Sequence, residues 1–355
     1  MNGENKENSD NKKKWIYCPS CGTRLPEINK QKFCMKCGFN FETFKYTMSS
    51  KLSNTQIVQP FYYKRRDFIK ISEIEILDLG EKKLWSSLVS IGIPIAAFIL
   101  MNFIALIITF FFMLSVANLD DLVNIILNPY FVIFSSFIEL IFMLVPILYI
   151  GKYLQNSKIS NRFALLGFTT RGYSTSRIMK EVFIGLGFAI VAFFLVFFVS
   201  ILIQLFLELI FGIDIVYSAG GSLNEVDVII ANSDVLAIIL LIITMIVIIG
   251  PSEEILFRGF MQKGLVRSIG KVGGIIITAI VFSFIHLIGI FVTAYSAPIE
   301  YLISFLLNFF PYFAISLLLG LLFYWRKENL IAVVITHGFY NALTIIIAYI
   351  YFSIG

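Results

Sequence analysis

The chain has 355 residues, 58% of them apolar and only 14% charged, with a net charge of +5. Soluble domains carry about a quarter charged residues, so this composition excludes a soluble globule and predicts an all-α polytopic membrane protein. The basic residues lie scattered beside apolar segments, so no nucleic-acid partner is expected.

Residues 1–14 are Asn, Asp, Glu, Lys and Ser with almost nothing to bury, and are expected to be disordered. No secretory leader opens the chain, so the four cysteines that follow are expected in a reducing cytosol, where paired cysteines more often hold metal than form disulfides. Cys18-Pro-Ser-Cys21-Gly and Cys34-Met-Lys-Cys37-Gly are two C-x-x-C knuckles whose glycines permit tight turns. Four thiolates at this spacing converge on one structural Zn²⁺ with no open position for catalysis. The segment resembles a zinc ribbon of the short kind fused to prokaryotic membrane proteins, within a domain of about 15–44. Residues 45–83 form a basic juxtamembrane linker that includes Lys64, Arg65, Arg66, Lys70, Lys82 and Lys83, a composition suited to orientation and to lipid headgroups.

Seven apolar segments follow, each near or above the ~20 residues that cross a bilayer. They lie at about Leu84–Ala117, Pro129–Ile150, Ile178–Gly212, Val235–Arg267, Val272–Thr293, Tyr301–Trp325 and Leu330–Phe352. The first three belong to an accessory region, 84–233, and the last four to a core, 234–353. Sixteen of the 28 Lys and Arg precede the first span, 6 lie over Gly151–Lys180, 4 run from Arg258 to Lys271, and Arg326 and Lys327 complete the count, while the alternate loops hold none. By the positive-inside rule the N-terminus is cytosolic and the C-terminus outside, in a multi-pass cell-membrane protein. Glu139 sits near the middle of the second span, either joining a site or serving as a protonated or partnered structural carboxyl. Gln204 and Glu208 approach the outer end of the third span and are expected to reach towards water.

The fourth span contains Gly250-Pro-Ser-Glu253-Glu254-Ile-Leu-Phe-Arg258. Residues four apart share a helix face, so Glu254 pairs with Arg258 while Glu253, rotated by about 100°, points elsewhere and stays free. Gly250 and Pro251 loosen the preceding backbone, and Ser252 is expected to cap the amides so released. The only two histidines, His286 and His337, each lie in an apolar span, with Phe282 four residues before the first and Asn341 four after the second. If the fourth and fifth spans turn near Gly270, Glu254 and His286 are equally far from the turn, about 24 Å along each helix, and meet at one level. A carboxylate and an imidazole in a low-dielectric cavity hold and deprotonate a water. His337 and Asn341 are placed to donate hydrogen bonds to an oxyanion. This constellation predicts peptide hydrolysis within the membrane.

Glu253-Glu254-x-x-x-Arg258, Phe282-x-x-x-His286 and His337-x-x-x-Asn341 resemble, in order and setting, the three motifs of the CPBP (CAAX protease and bacteriocin-processing, or ABI) intramembrane proteases. The resemblance covers about Val235–Leu343. It implies a glutamate-dependent endopeptidase with Glu253 as base, His286 holding the water, His337 and Asn341 as the oxyanion site, and Glu254, Arg258 and Phe282 in support. Its substrate would be a peptide or membrane protein, prenylated or not. Two histidines and a glutamate are also donors for Zn²⁺, but H-E-x-x-H is absent and the metal-free mechanism is favoured. Three alternatives stand beside it: polar residues acting as packing glue, a transporter or proton relay, and a non-catalytic scaffold or immunity protein. No inverted repeat supports the transporter reading.

Overall fold

A computed structural model describes residues 84–354 apart from 117, 155, 221–224 and 289–297. The Cys18, Cys21, Cys34 and Cys37 ribbon, the N-terminal tail and the basic linker lie outside the described residues. Those described form helices and no strand. In chain order these are α1 (Ser87–Ser115), α2 (Leu119–Ile126), α3 (Pro129–Tyr153), α4 (Ile159–Leu166), α5 (Thr175–Phe211), α6 (Ile213–Gly220), α7 (Glu225–Ala231), α8 (Val235–Ile269), α9 (Lys271–His286), α10 (Pro298–Trp325) and α11 (Ile331–Ile354).

Six of these, α1, α3, α5, α8, α10 and α11, are long and apolar enough to cross a membrane. This marks a multi-pass membrane protein; among the described residues the expected count of seven is not reached, because the fifth expected span is a shorter helix. The fifth expected span, Val272–Thr293, is helical only over the 16 residues of α9. At about 1.5 Å per residue those span roughly 24 Å, short of the ~30 Å hydrocarbon core. The apolar run continues to Thr293, but the helix ends at His286.

Burial separates central from peripheral spans. In α8 and α11, 44% of the most apolar stretch is enclosed by protein, against 6% in α1 and 11% in α5. The outer faces of α1 and α5 present Phe, Leu and Ile to their surroundings, as lipid-facing helices do. Gln204 and Glu208 bond to each other there, Nε2 to Oε1 at 2.8 Å, rather than reaching out separately.

The central helix α8 is not uniformly α-helical. It widens to π-helix over Met245–Ile249, returns to α over Gly250–Glu254, and widens again over Ile255–Gln262. The first π stretch precedes Pro251, which has no N–H to return to the preceding turn. π-turns commonly mark functional positions because they rotate the following side chains off the regular helical phase. The cap expected of Ser252 does not form: the helix runs through, and the buried Ser252 Oγ has no partner.

Close crossings lock α8 in place. A Cβ on Gly338 of α11 would lie 2.8 Å from Ile246 Cα, so the two backbones meet where only glycine fits. At the other end Trp85 stacks on Phe260 with centroids 4.9 Å apart and donates its indole N–H to the Phe260 carbonyl. There, too, Lys263 is buried and donates to the Leu165 carbonyl at 2.6 Å, and Arg326 grips Glu181 through both carboxylate oxygens. Gly270, at φ +85°, makes the turn that lays α9 back along α8.

Candidate active site

Every ionisable group that the sequence singles out in the last spans arrives at one place. Arg258 is fully buried and donates from Nη1 to Glu254 Oε1 at 2.8 Å, the pair required by four-residue spacing. Its Nη2 donates to Ser316 Oγ on α10 at 2.8 Å, and its guanidinium lies 4.8 Å from the centre of the Phe282 ring. A charge at this depth is tolerated because both terminal nitrogens have acceptors and the guanidinium a π-face, with only Nε left without a partner.

Glu254 also does something that the spacing does not show. The same Oε1 takes a hydrogen bond from His337 Nδ1 at 2.7 Å, so one carboxylate joins the guanidinium of α8 to the imidazole of α11. A carboxylate only accepts, so the proton is on Nδ1 and the Nε2 of a neutral His337 presents a lone pair. His286 is fixed in the same way: Nδ1 donates to the Phe282 carbonyl at 2.8 Å. Its ring lies between Phe282, centroids 4.3 Å apart, and Tyr312 of α10, 4.7 Å apart.

Both imidazoles thus turn Nε2 towards Glu253. His286 Nε2 is 3.7 Å from Glu253 Oε1, and His337 Nε2 is 3.7 Å from Oε2. That separation exceeds a direct hydrogen bond and suits one small molecule held between carboxylate and ring nitrogen. Glu253 is itself buried, with Oε2 lacking any hydrogen-bond partner. Asn341 lies half-buried one turn beyond His337 on α11. Single-sequence reading placed Glu254 with Arg258 alone. It missed the Glu254–His337 bond, the Ser316 acceptor and the Tyr312 wall, since contacts between helices leave no periodic trace, and Ser316 is one of two serines in α10.

For a catalytic Zn²⁺ the donor types are suitable, but among the described residues no three His, Cys, Asp or Glu side chains meet the spacing of a metal site.

Residues 235–343 match a family model described as Type II CAAX prenyl endopeptidase Rce1-like. The match takes in α8, α9, α10 and most of α11, which carry all the groups just described. No curated protein and no solved structure matches the chain. The likeness to CAAX-type endopeptidases thus falls on the part of the helical bundle that carries the ionisable cluster.

Proposed function

We propose that the protein is a glutamate-dependent intramembrane endopeptidase. The reading rests on one observation above the others: Glu253 stands 3.7 Å from the Nε2 atoms of both histidines, each imidazole fixed by its own Nδ1 bond. A water between Glu253 and His286 loses a proton to Glu253 as its oxygen attacks the scissile carbonyl carbon. The oxyanion is stabilised by His337 and the Asn341 amide. With Nδ1–H committed to Glu254, His337 donates from Nε2 only as imidazolium. The Glu254 carboxylate orients the His337 ring, and Arg258 holds the carboxylate in position.

The substrate is a peptide segment within or beside the bilayer, carrying a prenylated tail if the matched family's chemistry extends to this chain. The N-terminus faces the cytosol and the C-terminus the outside, by the distribution of Lys and Arg, with the shorter α9 counted as a seventh crossing. The N-terminal cysteines hold one structural Zn²⁺ remote from catalysis.

The test uses purified full-length protein in detergent with a farnesylated CAAX-type peptide. Glu253→Gln is expected to abolish cleavage while the thermal unfolding profile is retained. Normal cleavage by this variant would remove Glu253 as the base, and a wild type inert towards prenylated and plain peptides would favour the scaffold reading. About one Zn²⁺ per chain is expected, lost with activity intact when residues 1–46 are deleted; a stoichiometric metal left in the truncated protein would favour metal-dependent hydrolysis.

A further inference from the structure

Peptide hydrolysis needs a second proton transfer, to the departing amine, and the groups described above are committed elsewhere. Glu253 takes the proton of the water, His337 and Asn341 face the oxyanion, and Glu254 is held by Arg258 and His337. A carboxyl from a different helix stands close by, in a stretch packed on the part of α8 that leads into Glu253. Glu139 lies in α3, where the helix tightens to 3₁₀ over Ser136–Glu139 before resuming at Leu140.

Its position follows from how α3 packs on α8. Ser136–Glu139 lies against Met245–Ile249, and Leu140–Ile150 against Gly250–Glu254 and Ile255–Gln262, so the two helices run in the same direction. Phe142 of α3 meets Phe257 of α8 edge to face, with centroids 6.3 Å apart. Glu139 thus lies in the stretch packed on Met245–Ile249, immediately before the Gly250–Glu254 segment that carries Glu253. The Glu139 Oε2 atom is shielded from solvent and has no hydrogen-bond partner, and the charges of both Glu253 and His286 act on Glu139.

We propose that Glu139 is a second catalytic carboxyl, the acid that protonates the leaving amine from the α3 side while Glu253 works from the α8 side. The inference rests on the protease reading of Glu253. Two neighbouring carboxylates in a low-dielectric space repel, so the pair holds one proton. Glu253 has an imidazole nitrogen beside each oxygen and Glu139 has none beside Oε2, which leaves the ionised form at Glu253 and the proton at Glu139. Division of two carboxyls into base and acid by their surroundings is a recurring catalytic arrangement.

The step balances without another reactant. Water gives its proton to Glu253 and its oxygen forms the new bond to the carbonyl carbon. When the tetrahedral intermediate collapses the C–N bond breaks, the electron pair goes to nitrogen, and the Glu139 proton completes the amine. The proton now on Glu253 passes through water to Glu139, restoring both groups.

The experiment compares two probes on full-length protein in detergent: the farnesylated peptide, and the same peptide with a thioester replacing the scissile amide, whose thiolate leaves without a proton. Glu139→Gln is expected to lower kcat on the amide by about 10²–10⁴-fold and to leave thioester cleavage within a few-fold. Glu139→Asp, which keeps a proton donor, is expected to fall between. An equal loss on both probes in both variants, or undiminished amide cleavage, would overturn the proposal. Glu253→Gln serves as the separate control: if it still cleaved both probes the base assignment would fail, while the amide-to-thioester ratio of the Glu139 variants would still decide the acid.

Discussion

Arg258 is the largest side chain fully enclosed in the protein, at a depth where an unpaired charge is prohibitive. What makes it tolerable is a chain of contacts through Glu254, Ser316 and the Phe282 ring. Removing one member of a buried pair leaves the other uncompensated, at a cost of about 3–5 kcal/mol, whereas removing both is far milder. Arg258→Met should therefore destabilise the protein by that amount, and Glu254→Gln with Arg258→Met should recover much of it, read as unfolding midpoints in detergent. The double variant should remain inactive, since His337 then loses the carboxylate that orients it. Recovered activity would show that the Glu254–His337 bond is dispensable.

At the scale of the element, the site depends on how closely α8 and α11 approach. A methyl on Gly338 would meet backbone, Ile246 Cα at 2.8 Å, which cannot move aside as a flexible side chain can. Gly338→Ala should cost about 1–3 kcal/mol by overpacking. Its effect on rate should be larger: a displacement near 1 Å between His337 and Glu253 is enough for a loss of about 10²-fold. Cleavage kinetics beside unfolding midpoints would separate the two effects. The start of α8 gives a pH-dependent case. Asp234 caps the helix, and its carboxyl is held below its ordinary 3.8 first by the Ala237 N–H and then by the Tyr130 hydroxyl. A depressed folded-state value stabilises the fold above the unfolded value, and the contribution is lost as pH falls through the folded one. Asp234→Ala should lower the unfolding midpoint at pH 7, with the gap to wild type closing below about pH 4.

For the molecule as a whole, the paired α8 and α11 form a protein-enclosed centre, and α1 and α5 present apolar surface outwards. The functional groups sit on the enclosed helices, which is where intramembrane charge can be satisfied. Orientation has a direct measurement. With epitope tags at both ends, intact cells should expose only the C-terminal tag to antibody, and the N-terminal one only after permeabilisation; the reverse pattern would invert the direction from which substrate and water approach.

The sequence by itself determined the membrane class, because a composition so poor in charge has no soluble solution. It also determined the Glu254–Arg258 pair and the turn at Gly270, since both follow from local helical geometry. What only the tertiary structure decided is non-local. It showed that α9 stops at His286 and that Ser252 caps nothing. It also showed that Glu254 reaches His337, that both imidazoles aim the same nitrogen at Glu253, and that the Glu139 stretch of α3 packs on the part of α8 just before Glu253. Spacing along one helix gives the face on which a side chain lies. The partner it meets there is chosen by the π-turns, glycine crossings and packing of other helices, none of which has a period to read.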